Sequence, residues 1–230
     1  GIIVPLGVLQ AMFMMNNTLR DKKDNNGIFN GAVLGDIAKN QEEIIKGNDR
    51  SGLAEAMRII RSNINFILPK NNESKVIYVT STVPGEGKTF TAVNLTQILA
   101  LTKKKVVLVG ADVRKPRILT YLNLNVENQI TRGLTNLLAE PNLKLDDVIL
   151  KQPKDYLFDV LPAGNIPPNP SELLMEPRYE EIIKQLKTEY DFVIVDTAPV
   201  GMVGDTQIIA DHADATLYVA RSNYLDKRLT

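Results

Sequence analysis

Pro84-Gly85-Glu86-Gly87-Lys88-Thr89 is the segment whose residue types could hold a polyphosphate. Its two glycines can take the positive φ values that a tight anion-cradling loop needs. Loop N–H groups and a following helix N-terminus attract an anion, the Lys88 ammonium adds a point charge, and the Thr89 hydroxyl can ligate Mg²⁺. The usual spacing of such a loop has a glycine five residues before the second one; here that place is Thr82. Two acids are candidates for the same pocket. Asp112 follows the apolar run 105–109 and can hold Mg²⁺ through water, take a proton from a nucleophile, or cap a helix. Asp196 ends a second apolar run, the layout of an acidic Mg²⁺-side group opposite a phosphate loop. Arg114 could contact phosphate or pair with Asp112.

These groups converge only if strands and helices place them. Val76 to Thr80 reads as a buried strand running into the glycine turn. Ala92, Leu95, Ile98 and Leu99 then recur at helical spacing after Lys88-Thr89. A chance GEGKT in a surface loop would lack this strand–loop–helix context. Further strands are expected over 105–109, 157–161, 191–196 and 215–220, with helical segments between them. Strands of near-continuous hydrophobicity alternating with helices predict an α/β fold: a P-loop NTPase with a mostly parallel sheet and helices on both faces. Acids just past the C-terminal ends of parallel strands face the ligand crevice of such sheets.

Composition narrows the function. Twenty-seven basic and 27 acidic residues balance to zero formal charge, so nucleic acid has no bulk electrostatic claim as a partner. Without cysteine there is neither disulfide nor thiolate metal site. One histidine, His212, leaves no basis for a histidine metal site or a Ser-His triad.

Gly1 to Met15 is apolar except for Gln10 and is followed by Arg20, Lys22 and Lys23. It is shorter than the ~20 residues a bilayer requires. It reads as the end of a transmembrane helix whose start lies outside the chain, with the cations on the cytoplasmic side; a buried N-terminal helix or a disordered hydrophobic tail is the alternative. Residues 16–50 read as a juxtamembrane linker with an apolar knot at Ala32-Val33-Leu34. Ser51 opens a helix with Leu53, Met57, Ile60 and Ile64 on one face. Glu55, Arg58 and Arg61 share another stripe, either to pair with a neighbouring subunit or as a solvated face. Ser171 is expected to cap one helix running through Leu173, Tyr179, Ile183 and Leu186. Tyr78 and Tyr218 read as core. The segment from Gly201 through Gly204 to Asp205 is a candidate nucleotide-sensing loop or a plain surface loop.

Together these motifs resemble the bacterial tyrosine kinases of capsule and exopolysaccharide export, the cytoplasmic part of Wzc-like polysaccharide co-polymerases. The resemblance covers about Arg20 to Thr230, in the same order. Ser81 to Thr89 is similar to the family's Walker A motif, Val107 to Arg114 to Walker A′, and Val193 to Pro199 to Walker B. Glu55-x-x-Arg58-x-x-Arg61 is similar to its oligomerisation helix, and Ile166 to Leu174 (IPPNPSELL) to a loop distinctive of it. The resemblance implies an ATP-dependent tyrosine autokinase in residues 51–230, with Lys88, Asp112, Asp196 and Arg114 catalytic. Pro84, Gly85, Glu86, Gly87, Lys88, Thr89 and Phe90 would bind ATP or ADP; Thr89, Asp112 and Asp196 would hold Mg²⁺. It further implies a homo-oligomeric ring, a neighbour's tyrosine tail as acceptor, the protein's own membrane and periplasmic domain as partner, and a place on the cytoplasmic face of the inner membrane.

The sequence departs from the family in two places, and from the related partition ATPases in a third. Gly110 stands where Walker A′ has its first acid, the chain stops at Thr230 without a tyrosine cluster, and Val83 stands where related partition ATPases carry a lysine. A nucleotide-gated, non-catalytic assembly module and a partition-type ATPase are the alternatives.

Overall fold

The computed structural model describes residues 31–38, 44–71, 73–124, 132–154 and 156–224. The expected membrane segment 1–15 lies outside them, as does most of the linker. Among the described residues no helix is long and apolar enough to cross a membrane.

Five strands among the described residues form one parallel sheet: β1 (Lys75–Ser81), β2 (Val106–Gly110), β3 (Asp159–Leu161), β4 (Phe192–Asp196) and β5 (Ala215–Val219), in the order β3-β2-β4-β1-β5. Alternate residues feed two cores. Val76, Tyr78, Val107, Val109, Val193 and Val195 face one; Ile77, Val79, Val106, Leu108 and Ile194 face the other. Both faces are covered, which is why the strands read as unbroken apolar runs.

Helices α1 (Gly52–Ile67) and α2 (Lys88–Ala100) cover the second face. Ser51 Oγ accepts the Ala54 N–H at 3.2 Å and caps α1, whose Leu53, Met57, Ile60 and Ile64 are buried. Helix α2 is buried on nearly every side, between the sheet, α1 and the incoming chain. The linker docks here: Asn63 Nδ2 donates to Leu34 O at 2.7 Å, and the Ile45 N–H donates to Asn94 Oδ1 at 2.9 Å.

The other face carries α4 (Leu134–Ala139), α5 (Pro170–Leu174), α6 (Pro177–Glu189) and α7 (Asp205–Ile209); a short α3 (Ile118–Tyr121) packs beside α2. The single helix expected after Ser171 is two. Pro177 starts the second, because the residue before a proline is pushed out of helical geometry. Ser171 lies inside α5 and caps nothing. Tyr78 is core, its hydroxyl 2.8 Å from that of Tyr179, but Tyr218 sits half-buried on edge strand β5.

Candidate active site

The site is assembled where β1, β4 and β2 end side by side. Strand β1 runs into the glycine turn, where Gly85 and Gly87 take φ of 88° and 97°. These values are open to glycine and strained for other residues. The turn delivers Lys88 and Thr89 into the first turn of α2, where backbone N–H groups lack intrahelical acceptors.

Two acids meet that turn. Asp196 at the tip of β4 is almost fully buried, and Asp112 just past β2 is buried as well. Their spacing is fixed by the backbone, since the N–H groups of Ala111 and Asp112 both donate to Asp196 O, at 2.8 and 3.0 Å. Lys88 Nζ lies between them, 2.8 Å from Asp112 Oδ2 and 3.3 Å from Asp196 Oδ1. Thr89 Oγ1 donates to Asp196 Oδ2 at 2.8 Å. Burial alone would lower the Lys88 pKa, but the charges of Asp196 and Asp112 outweigh it and hold the ammonium above its ordinary value. Burial raises the Asp196 carboxyl, against the pull of Lys88 and Thr89.

Asp112 does not cap a helix. Its second oxygen, Oδ1, accepts the Lys115 N–H at 3.1 Å, a local turn that orients the carboxylate. Two carboxylates and one hydroxyl make a hard oxygen donor set. That suits Mg²⁺, which takes one or two carboxylates and fills its remaining positions with water and phosphate oxygens.

Arg114 is committed elsewhere. Its Nε and Nη2 reach Asp205 Oδ2 and Oδ1 at 2.6 and 3.1 Å, and Ser171 Oγ donates to Asp205 Oδ1 at 2.6 Å. The loops after β2 and β4 and helix α5 are thereby clasped together. The direct pairing expected with Asp112 gives way to one with Asp205, and the Asp112 charge acts on Arg114 from farther off. The reason is that a buried acid 91 positions away offers a two-point match to its guanidinium.

The remaining candidates divide. Glu86 Oε2 accepts the Val83 N–H at 2.8 Å and Oε1 the Arg221 N–H at 3.2 Å, so Glu86 braces the loop from inside. Pro84 O accepts the Tyr224 hydroxyl at 3.0 Å. Phe90 leans its ring edge on Tyr121, 6.4 Å between centroids. Thr82, in the place of the usual glycine, fits because Gly201 lies across from it; a Cβ at Gly201 would come within 2.6 Å of Thr82 O. Gly110 is enforced by packing, since a Cβ there would meet Ala163 N at 2.9 Å. On α1, Arg58 pairs with Glu55 at 3.2 Å, while Arg61 donates to Ile98 O at 3.1 Å, well away from the pocket.

Ser171, Arg221 and Tyr224 were not singled out as site residues from the sequence. Only the serine carried a signal, its place in the IPPNPSELL segment, and that segment suggested a cap instead.

A family model described as "AAA domain" matches residues 74–224. The chain is 38% identical over 174 residues to tyrosine-protein kinase YwqD of Bacillus subtilis, covering 76% of this chain and 70% of that protein. It is 35% identical over 184 residues to tyrosine-protein kinase wzc of Salmonella typhimurium, covering 80% of this chain and 24% of that protein. The chain therefore spans about a quarter of the longer relative. The solved BceF tyrosine kinase domain superposes with a TM-score of 0.78 at 29% identity, covering 92% of this chain and 90% of that one. A five-stranded parallel sheet, a Lys-Thr turn set against two strand-tip acids, and kinship of this extent place the chain in the family of bacterial P-loop tyrosine-protein kinases.

Proposed function

We propose that this chain binds Mg-ATP at the Lys88 pocket and transfers the γ-phosphoryl group to tyrosine hydroxyls of a neighbouring copy. The observation that carries the reading is the position of Lys88 Nζ between Asp112 and Asp196, with Thr89 bonded to Asp196. Phosphoryl transfer needs positioning and charge neutralisation more than covalent participation by the protein. The N–H groups of Gly85 to Thr89 cradle the phosphates, and Lys88 turns from the acids to the β- and γ-phosphate oxygens. Asp112 and Asp196, released from Lys88, would hold Mg²⁺ together with Thr89 Oγ1; when bound, the ion offsets charge on the β- and γ-phosphates. Asp112 then orients the acceptor hydroxyl and takes its proton. Asp196, deeper and held by Thr89, stays a ligand.

The chain acts in this reading as the cytoplasmic module of a membrane-anchored assembly for capsule or exopolysaccharide export. It meets its neighbours in a ring through Glu55, Arg58 and the adjoining face of α1. Both relatives are named tyrosine-protein kinases, which supports the chemistry. Mass spectrometry of the protein after incubation with Mg-ATP tests it. Phosphotyrosine that requires both ATP and Mg²⁺ is expected; ATP-dependent assembly with no phosphotyrosine would replace the kinase with a nucleotide-gated scaffold.

A further inference from the structure

The chain has seven tyrosines, and their settings differ sharply. Tyr78 and Tyr179 are buried against each other, and Tyr190 is buried with its hydroxyl donating to Asp159 Oδ2 at 2.6 Å. Tyr121, Tyr156 and Tyr218 are half-buried. Tyr224 is the exception, with 49% of its surface exposed.

Its hydroxyl is also the one that touches the phosphate loop. It donates to Pro84 O at 3.0 Å, and a Cβ on Gly85 would come within 2.9 Å of it. The Arg221 guanidinium lies 5.0 Å from the Tyr224 ring centroid and donates to Gly85 O at 3.1 Å. The Arg221 N–H bonds Glu86, which in turn holds the start of the loop at Val83. The segment after β5 thus latches the outer side of the glycine turn at three successive residues, Pro84, Gly85 and Glu86.

We propose that Tyr224 is a phosphoryl acceptor for a second copy of this chain, and that its modification unlatches the phosphate loop. The proposal rests on the tyrosine-kinase reading above. A hydroxyl bonded to the carbonyl of its own loop cannot also lie in line with a γ-phosphate held at Lys88, so the donor is another copy. Tyr224 Oη bonds to the γ-phosphorus as the bond from that phosphorus to the β,γ-bridging oxygen breaks. ADP leaves with the electron pair, and the phenolic proton passes to the donor copy's Asp112.

Unlatching follows from charge. A phosphotyrosine oxygen has no proton to give Pro84 O, and its charge of about −1.5 to −2 repels that carbonyl. Arg221 is a ready partner for the new phosphate and leaves Gly85 O to reach it. The loop loses two hydrogen bonds and gains an anion beside the seat of the nucleotide's own phosphates. Modification at Tyr224 is therefore self-limiting.

The experiment mixes wild-type protein with a size-tagged Lys88→Met acceptor in Mg-ATP and maps phosphopeptides of both chains. Phosphate on Tyr224 of the acceptor is expected. Phosphotyrosine confined to other positions overturns the assignment and leaves the kinase reading standing. Phosphotyrosine on neither chain overturns both. In a second arm, Mg-ADP affinity of ATP-treated wild type is compared with the same sample after phosphatase. The treated protein is expected to bind about tenfold more weakly, and Tyr224→Phe to show no such fall. Equal affinities with Tyr224 phosphorylated would overturn the latch.

Discussion

Arg114 donates to both carboxylate oxygens of Asp205, at 2.6 and 3.1 Å, and the acid it holds is almost completely buried. One ion pair thus ties the loop that carries Asp112 to the turn that follows Asp196. Arg114 thereby fixes the loop that carries Asp112.

Replacing Asp205 with Asn is expected to destabilise the fold while leaving Lys88 and Thr89 in place. Breaking a buried pair by removing one partner costs about 3–5 kcal/mol. Arg114 is 38% exposed, so solvent screening brings the expected loss down to about 2 kcal/mol. In a domain of this size that lowers Tm by about 4–8 °C. Burial works against ionisation of Asp205, but the hydrogen bonds from Arg114 and Ser171 and the Arg114 charge prevail and hold its pKa below the ordinary value. A depressed carboxyl gives stability that is full above its unfolded pKa of ~3.9 and is lost as pH falls through the lower folded value. Thermal melts should therefore show Asp205→Asn losing less stability than wild type on going from pH 5 to the acid side of that range. Parallel pH profiles would remove the clasp from the account.

Thr89 donates its hydroxyl to Asp196, and in the proposed reading the same oxygen would take the metal when nucleotide is bound. Thr89→Ala is expected to cost about 1 kcal/mol in stability by leaving Asp196 Oδ2 without its donor. The more telling readout is ADP affinity with and without Mg²⁺. Wild type should bind ADP more tightly with the ion, Thr89→Ala should lose most of that gain, and Thr89→Ser should keep it. A Thr89→Ala protein with the full gain contradicts the ligand assignment.

Gly110 tests whether a missing acid can be restored. An aspartate there would drive its Cβ into the backbone of Ala163, and overpacking of this kind costs about 1–3 kcal/mol. Gly110→Asp should melt at lower temperature and transfer phosphate no faster than wild type. A faster variant of unchanged Tm would show that the loop after β3 yields easily.

Much of this was legible in the sequence because it is local. The glycine turn, the lysine and threonine after it, and acids at the ends of apolar runs lie within single strand–loop–helix units, so spacing alone placed them. The sheet followed from strands apolar on both faces. Contacts between distant segments were not legible. Nothing near Arg114 marks Asp205 as its partner, and Ser171 had the look of a cap while its hydroxyl serves that same acid. Tyr224 gave no signal, because a tyrosine latch depends on where β5 ends beside the turn. The division of one expected helix into two was readable at Pro177 and was outweighed by the apolar periodicity running through it.

Isothermal titration of Mg-ADP into wild-type and Lys88→Met protein tests the central claim, that the ammonium between Asp112 and Asp196 is the seat of the nucleotide phosphates. A charged hydrogen bond to phosphate is worth about 1.5–3 kcal/mol, so Lys88→Met should weaken binding at least tenfold with the fold intact by circular dichroism. Equal affinity for the two proteins would place the nucleotide elsewhere and contradict the account.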